Sequence, residues 1–223
     1  MSITKLPISI MLFLISSLLM FLPEWIQLWL CVDVASFGEN PFLIDIMRLV
    51  TYQFIHGSPS HLLGNFMFFM PFGLYLETKI PKKDFIILYL LSGVISALVF
   101  VLAFNFSAYG AEVLKFMKLF QGIMPLLGSS GAIFGLVVLS IVTWGKEAWW
   151  KALLSIIGIS YLIAPQFIMA LISQLKHGGI AYWGHVGGVF GALLFSHYLC
   201  NKKPLPAVAV PSNKKVQKKL KKS

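Results

Sequence analysis

From Phe85 to Phe106 the chain carries no charged side chain. A helix of that length crosses the ~30 Å apolar core of a bilayer, which takes about 20 residues. In water such a segment would have to be buried on every side. It is not alone. Further apolar runs extend over Ile8–Leu30, Ser60–Leu76, Ser129–Trp144, Ala152–Ile172 and Ala181–Cys200. With 58% hydrophobic and 12% charged residues and a mean hydropathy of +0.83, a soluble domain of 223 residues could not hide this much apolar surface. The expected fold is therefore an all-α polytopic membrane protein with six transmembrane helices over residues 1–200. A Lys-rich flexible tail is expected at 201–223.

The positive charges set the expected orientation. Lys5, the turn with Lys79, Lys82 and Lys83, the turn with Lys146 and Lys151, and the tail fall on one side. The other side carries Arg48, Lys115, Lys118 and Lys176. The bias places both termini in the cytoplasm. The net charge of +10 resides largely in the tail, which lacks interleaved aromatic residues. It reads as a segment beside anionic membrane lipid, with no nucleic-acid partner. The first run is too long for a signal-peptide core and is followed by no small-residue cleavage site. Cys31 and Cys200 are expected on opposite membrane faces, where they cannot pair.

Polar groups inside such runs are costly and mark function. The run from Ser129 to Trp144 is short, about 24 Å, so its first residues should lie below the membrane surface. It opens with Gly128-Ser129-Ser130-Gly131. His61 and Asn65, four apart, share one face at the start of the second run. His185 lies one turn into the sixth. All three runs start on the outer side, so these groups share one depth. Gly128, Gly131 and Gly135, with Gly184, Gly187, Gly188 and Gly191, provide small-residue surfaces for close packing. Ser130 then reads as a nucleophile activated by His185 as general base. The N–H groups at the helix start, with His61 and Asn65, are placed to hold an oxyanion. The three runs that carry these residues contain no carboxylate, so the pair is a dyad without a third, orienting acid.

On these residues the chain resembles the rhomboid family of intramembrane serine proteases. The resemblance rests on His56-x4-His61-x3-Asn65, Gly128-x-Ser130-Gly131 and Gly184-His185-x2-Gly188, in that order, and covers nearly the whole chain. It implies a rhomboid-like helical bundle, a catalytic dyad of Ser130 and His185, and oxyanion stabilisation by His61 and Asn65. It also implies transmembrane protein substrates cut near the outer membrane face, approaching past the fifth span. No cofactor or metal is called for. Two positions depart from the family pattern. Met47-Arg48 stands where many members have Trp-Arg, and Phe134 stands where a tyrosine often stacks on the catalytic histidine.

Simpler readings stand beside these. Ser130 alone would pass as a helix cap, and His61, Asn65 and His185 as polar links between helices. His56 reads as structural, Glu77 as an anchor of the turn that follows it, and His197 and His177 as peripheral. A metal site lacks any carboxylate in the runs that carry the histidines. A channel would line a whole path with polar groups, whereas here they cluster. An inactive rhomboid-like protein that binds or retains membrane clients is the alternative function; the retained serine and histidine count against it. The absence of a further soluble domain or targeting stretch suits a bacterial inner membrane.

Overall fold

The computed structural model describes residues 6–106, 125–148 and 181–201, with single positions at 112, 115, 150, 151, 154, 157, 158, 165 and 168. The expected fifth span, most of the connection before residue 125, His177 and the tail from 202 onward lie outside the described residues.

The first apolar run is not one helix. It divides into α1 (Ile8–Leu19) and α2 (Glu24–Leu30). Pro23 causes the break, because it has no N–H to donate and disfavours helical geometry in the residue before it. Gln27 Nε2 caps the open end, donating to the Met20 carbonyl at 3.3 Å and the Leu22 carbonyl at 2.7 Å. At 12 residues, α1 is about 18 Å long, too short to cross the apolar core by itself.

The connection that follows is structured. A short strand β1 (Val32–Asp33), helix α3 (Phe42–Thr51) and a 3-10 turn (Tyr52–Phe54) occupy it. On α3, Asp45 and Leu49 are buried while Phe42, Leu43 and Ile46 are exposed, the pattern of a helix lying at an apolar surface. Strand β1 pairs antiparallel with β2 (Pro125–Leu126), Val32 opposite Leu126. That pairing ties the first connection to the residues just ahead of Gly128. Arg48 Nε donates to the Trp29 carbonyl at 2.9 Å and so joins α3 to α2, with methionine at the preceding position.

Helices α4 (Pro59–Glu77), α5 (Lys82–Asn105), α6 (Ser130–Gly145) and α7 (Ala181–Asn201) lie close to the expected limits. Among the described residues, α5 is the helix long and apolar enough to cross a membrane by that measure alone. Ser58 caps α4, accepting from the His61 N–H at 3.1 Å, with Pro59 as the first helical residue. The core joins Phe66 and Phe69 of α4, Leu88 and Tyr89 of α5, Ile133 and Leu136 of α6, and Phe195 of α7.

Small residues bring α5, α6 and α7 together. A Cβ added at Gly135 of α6 would lie 2.6 Å from the Gly188 carbonyl of α7, and one at Gly191 would lie 2.6 Å from Ser92 Cα of α5. Only hydrogen fits there. At one end of the bundle, Glu77 accepts from the N–H groups of Ile8 and Ser9, both at 2.8 Å, and from Ser9 Oγ at 2.6 Å. This carboxylate therefore caps α1. At the same end Glu147 accepts from Tyr75 Oη at 2.8 Å, and from Lys79 and Lys151, each at 2.6 Å.

Candidate active site

At the other end, α4, α6 and α7 all begin, which places the polar groups on their first two turns at one end of the bundle. The turn into α6 is the centre of the arrangement. Gly128 has φ +110°, a conformation open to glycine, and its N–H donates to the Tyr52 carbonyl at 3.1 Å. A Cβ at Gly128 would sit 2.8 Å from His61 Cε1 and 3.9 Å from Asn65 Nδ2. His61 and Asn65 thus pack directly against the backbone two residues ahead of Ser130. Asn65 Nδ2 is buried and finds no hydrogen-bond partner among the described residues. A buried amide donor without an acceptor carries a desolvation cost, and an oxyanion is one group that would satisfy it.

Ser130 is the first residue of α6 and is partly exposed. Gly131 packs against Ser96 of α5, which an added Cβ would strike, and against α7, where that Cβ would lie 3.3 Å from the Gly184 carbonyl. One residue further on α7, the His185 ring stacks on Phe134, with centroids 4.2 Å apart and planes within 10°. Phe134 is one helical turn beyond Ser130, so the stack sets the imidazole on the flank of α6 that begins with the serine. Tyr182 meets His185 edge-on at 6.4 Å. The departure at position 134 therefore keeps the ring contact and forgoes only the hydroxyl.

The residues read from sequence thus fall into two adjacent groups. His61 and Asn65 meet the Gly128–Ser130 turn, and His185 meets α6 through Phe134. His197 is exposed further along α7. A third group joins His56, read from sequence as structural, to a partner that was not foreseen. His56 and Ser129 are both buried, with Nε2 and Oγ 3.1 Å apart. The Ser129 N–H also donates to Nε2, at 3.5 Å. A backbone N–H can only donate, so Nε2 is the acceptor and His56 is neutral with its proton on Nδ1. Burial, then the neighbouring His61, pushes His56 down to about 4. This Ser–His contact is closed to a peptide, and it fastens the start of α4 to the turn before Ser130. The His56–His61 spacing hinted at a site, but nothing in the sequence pointed to Ser129 as the partner.

Ser130 thus begins a helix that packs against both α4, which carries His61, and α7, which carries His185. The Rhomboid domain family matches residues 44–202. The chain belongs to the rhomboid family, a family of integral membrane serine proteases, and is an all-α integral membrane protein. It is 29% identical over 160 residues to the Bacillus subtilis protein named "Putative rhomboid protease YdcA", covering 70% of this chain and 68% of that one. It is 24% identical over 155 residues to "Rhomboid-like protein 11, chloroplastic" of Arabidopsis thaliana, covering 66% of this chain and 49% of the relative.

Proposed function

We propose that this chain is an intramembrane serine endopeptidase that cleaves transmembrane proteins near the outer membrane face. The observation that carries the reading is the His185 ring held against Phe134, one turn from Ser130. In this reading Ser130 Oγ attacks the scissile carbonyl while its proton passes to His185. His185 then returns that proton to the leaving amine, and water hydrolyses the acyl-enzyme by the same route in reverse. The oxyanion is held by the N–H groups at the start of α6 with His61 and Asn65. Stacking on Phe134 supplies ring orientation that an aspartate provides in other serine hydrolases.

Both termini are cytoplasmic in this proposal, six spans cross a bacterial inner membrane, and the substrate comes from the bilayer. The test is labelling of the detergent-purified protein by a fluorophosphonate, together with cleavage of a model transmembrane substrate. Ser130→Ala and His185→Ala should each abolish both while the protein remains folded. His61→Ala and Asn65→Ala should slow cleavage by about 10² to 10³, the usual loss for one oxyanion donor. Labelling that survives Ser130→Ala refutes the nucleophile. A folded wild type that neither labels nor cleaves leaves the client-binding alternative.

A further inference from the structure

We propose that the groove between α1 and α5 binds an anionic phospholipid, one acyl chain lying along the groove and the head group held at Lys82. The groove has a volume of about 490 Å³ and lies apart from the candidate active site. Its walls are apolar, formed by Ile8, Leu12 and Ile15 of α1 and by Ile86 and Leu90 of α5, with Lys82 the charged residue among those lining it. Ile15 and Ile86 are exposed along its mouth.

The dimensions and the charge select the occupant. From Lys82 to Leu90 the groove follows α5 for about 12 Å, close to the ~15 Å depth of one hydrocarbon leaflet. The basic residue stands at the end where the turns carry Lys79, Lys82 and Lys83, the side on which a head group would lie. A basic pocket between transmembrane helices at that level favours an anionic head group over a zwitterionic one.

The inner wall of the groove connects to the active-site turn. Phe54 and Tyr89 line it with their rings 5.9 Å apart. Tyr89 Oη donates to the Gln53 carbonyl at 3.4 Å and also interacts with Ser129. A chain packed on Phe54 and Tyr89 therefore braces the turn that leads to His56 and, through Ser129, to Ser130. This coupling rests on the proposed role of Ser130, whereas the binding itself does not.

The experiment offers the full chain in detergent an equimolar mixture of dioleoyl phosphatidylglycerol and dioleoyl phosphatidylcholine, and reads retained lipid by native mass spectrometry. Wild type should retain phosphatidylglycerol preferentially. Lys82→Gln should lower the ratio of the two about fivefold, the change matching ~1 kcal/mol for one lysine beside an anionic lipid. Lys82→Arg should preserve the ratio, and Ile86→Trp, which fills the groove from its exposed rim, should remove the adduct. Equal retention of both lipids by wild type overturns the proposal, as does an unchanged ratio in Lys82→Gln. Retention by Ile86→Trp also overturns it, leaving the groove to another occupant such as residues 1–5. Cleavage should in addition run faster in phosphatidylglycerol nanodiscs than in phosphatidylcholine, and equal rates refute the coupling. An adduct pattern as expected in a chain that cleaves nothing would remove the peptidase reading and leave the lipid site standing.

Discussion

The His56–Ser129 link allows a prediction whose two halves differ in size for a physical reason. Ser129→Ala removes the hydroxyl's bond to His56 and its contact with Tyr89, but His56 Nε2 keeps a second donor in the Ser129 N–H. The loss should stay near ~1 kcal/mol, the usual net value of a bond whose remaining partner is not stranded. His56→Ala does more. It strands the Ser129 N–H in a fully buried site and leaves the hydroxyl with Tyr89 alone, at about 1–3 kcal/mol for an unsatisfied group. It also opens a cavity where a 1%-exposed ring stood against Phe66. Together these should cost about 3–5 kcal/mol, in the range of large core truncations. The assay is denaturant unfolding in mixed micelles for both single variants and the double variant. The double variant should fall little below His56→Ala alone, because the serine then has no histidine to lose. Equal costs for the two single variants, or additive costs in the double, would refute the claim that the two side chains act as one link.

Two further perturbations test the frame around the site. Gly128→Ala should cost about 1–3 kcal/mol from backbone strain and displace His61, whose Cε1 lies 2.8 Å from the new methyl. It should cut cleavage at least about tenfold, as misplacement of a catalytic constellation does, whereas Gly64→Ala, in the interior of α4 with open space for the methyl, should leave the rate unchanged and stabilise the fold by about 0.5–1 kcal/mol. At the opposite end, hydrogen bonds from Lys151, Lys79 and Tyr75 hold the Glu147 carboxyl down at about 2, against an ordinary value of 4.5. A depressed carboxyl stabilises the fold above its unfolded value and ceases to as pH falls. Acid unfolding between pH 4.5 and 2 should therefore be shallower in Glu147→Gln than in wild type. Identical acid transitions would show that the exposed cluster contributes nothing to folding.

Helices α4 to α7 were legible because they are apolar runs set off by charged or polar turns. The limits of α4, α5, α6 and α7 fall within a few residues of the hydropathy boundaries. The first run misled because hydropathy does not register a single proline. Residues 8–30 are apolar on average, with Glu24 the one charged side chain among them, yet Pro23 divides them. The candidate residues Ser130, His185, His61 and Asn65 were legible for a different reason. A polar group within an apolar run has few ordinary uses, so each stands out against its neighbours.

What could not be read was how the connections are fastened, and the site depends on that fastening. Ser130 sits at the end of a helix whose approach is fixed by three loop contacts: β1 against β2, the Gly128 N–H on Tyr52, and Ser129 on His56. Each joins residues far apart in sequence through backbone atoms or short polar side chains, and none leaves a periodic pattern. Hydropathy places a helix start to within a turn, about 5 Å, whereas a nucleophile must be placed to within about 0.5 Å. The remaining order of magnitude comes from these ties. A serine, histidine and asparagine at the right depth thus define a candidate site, while the loops ahead of α4 and α6 determine how closely its parts are held together.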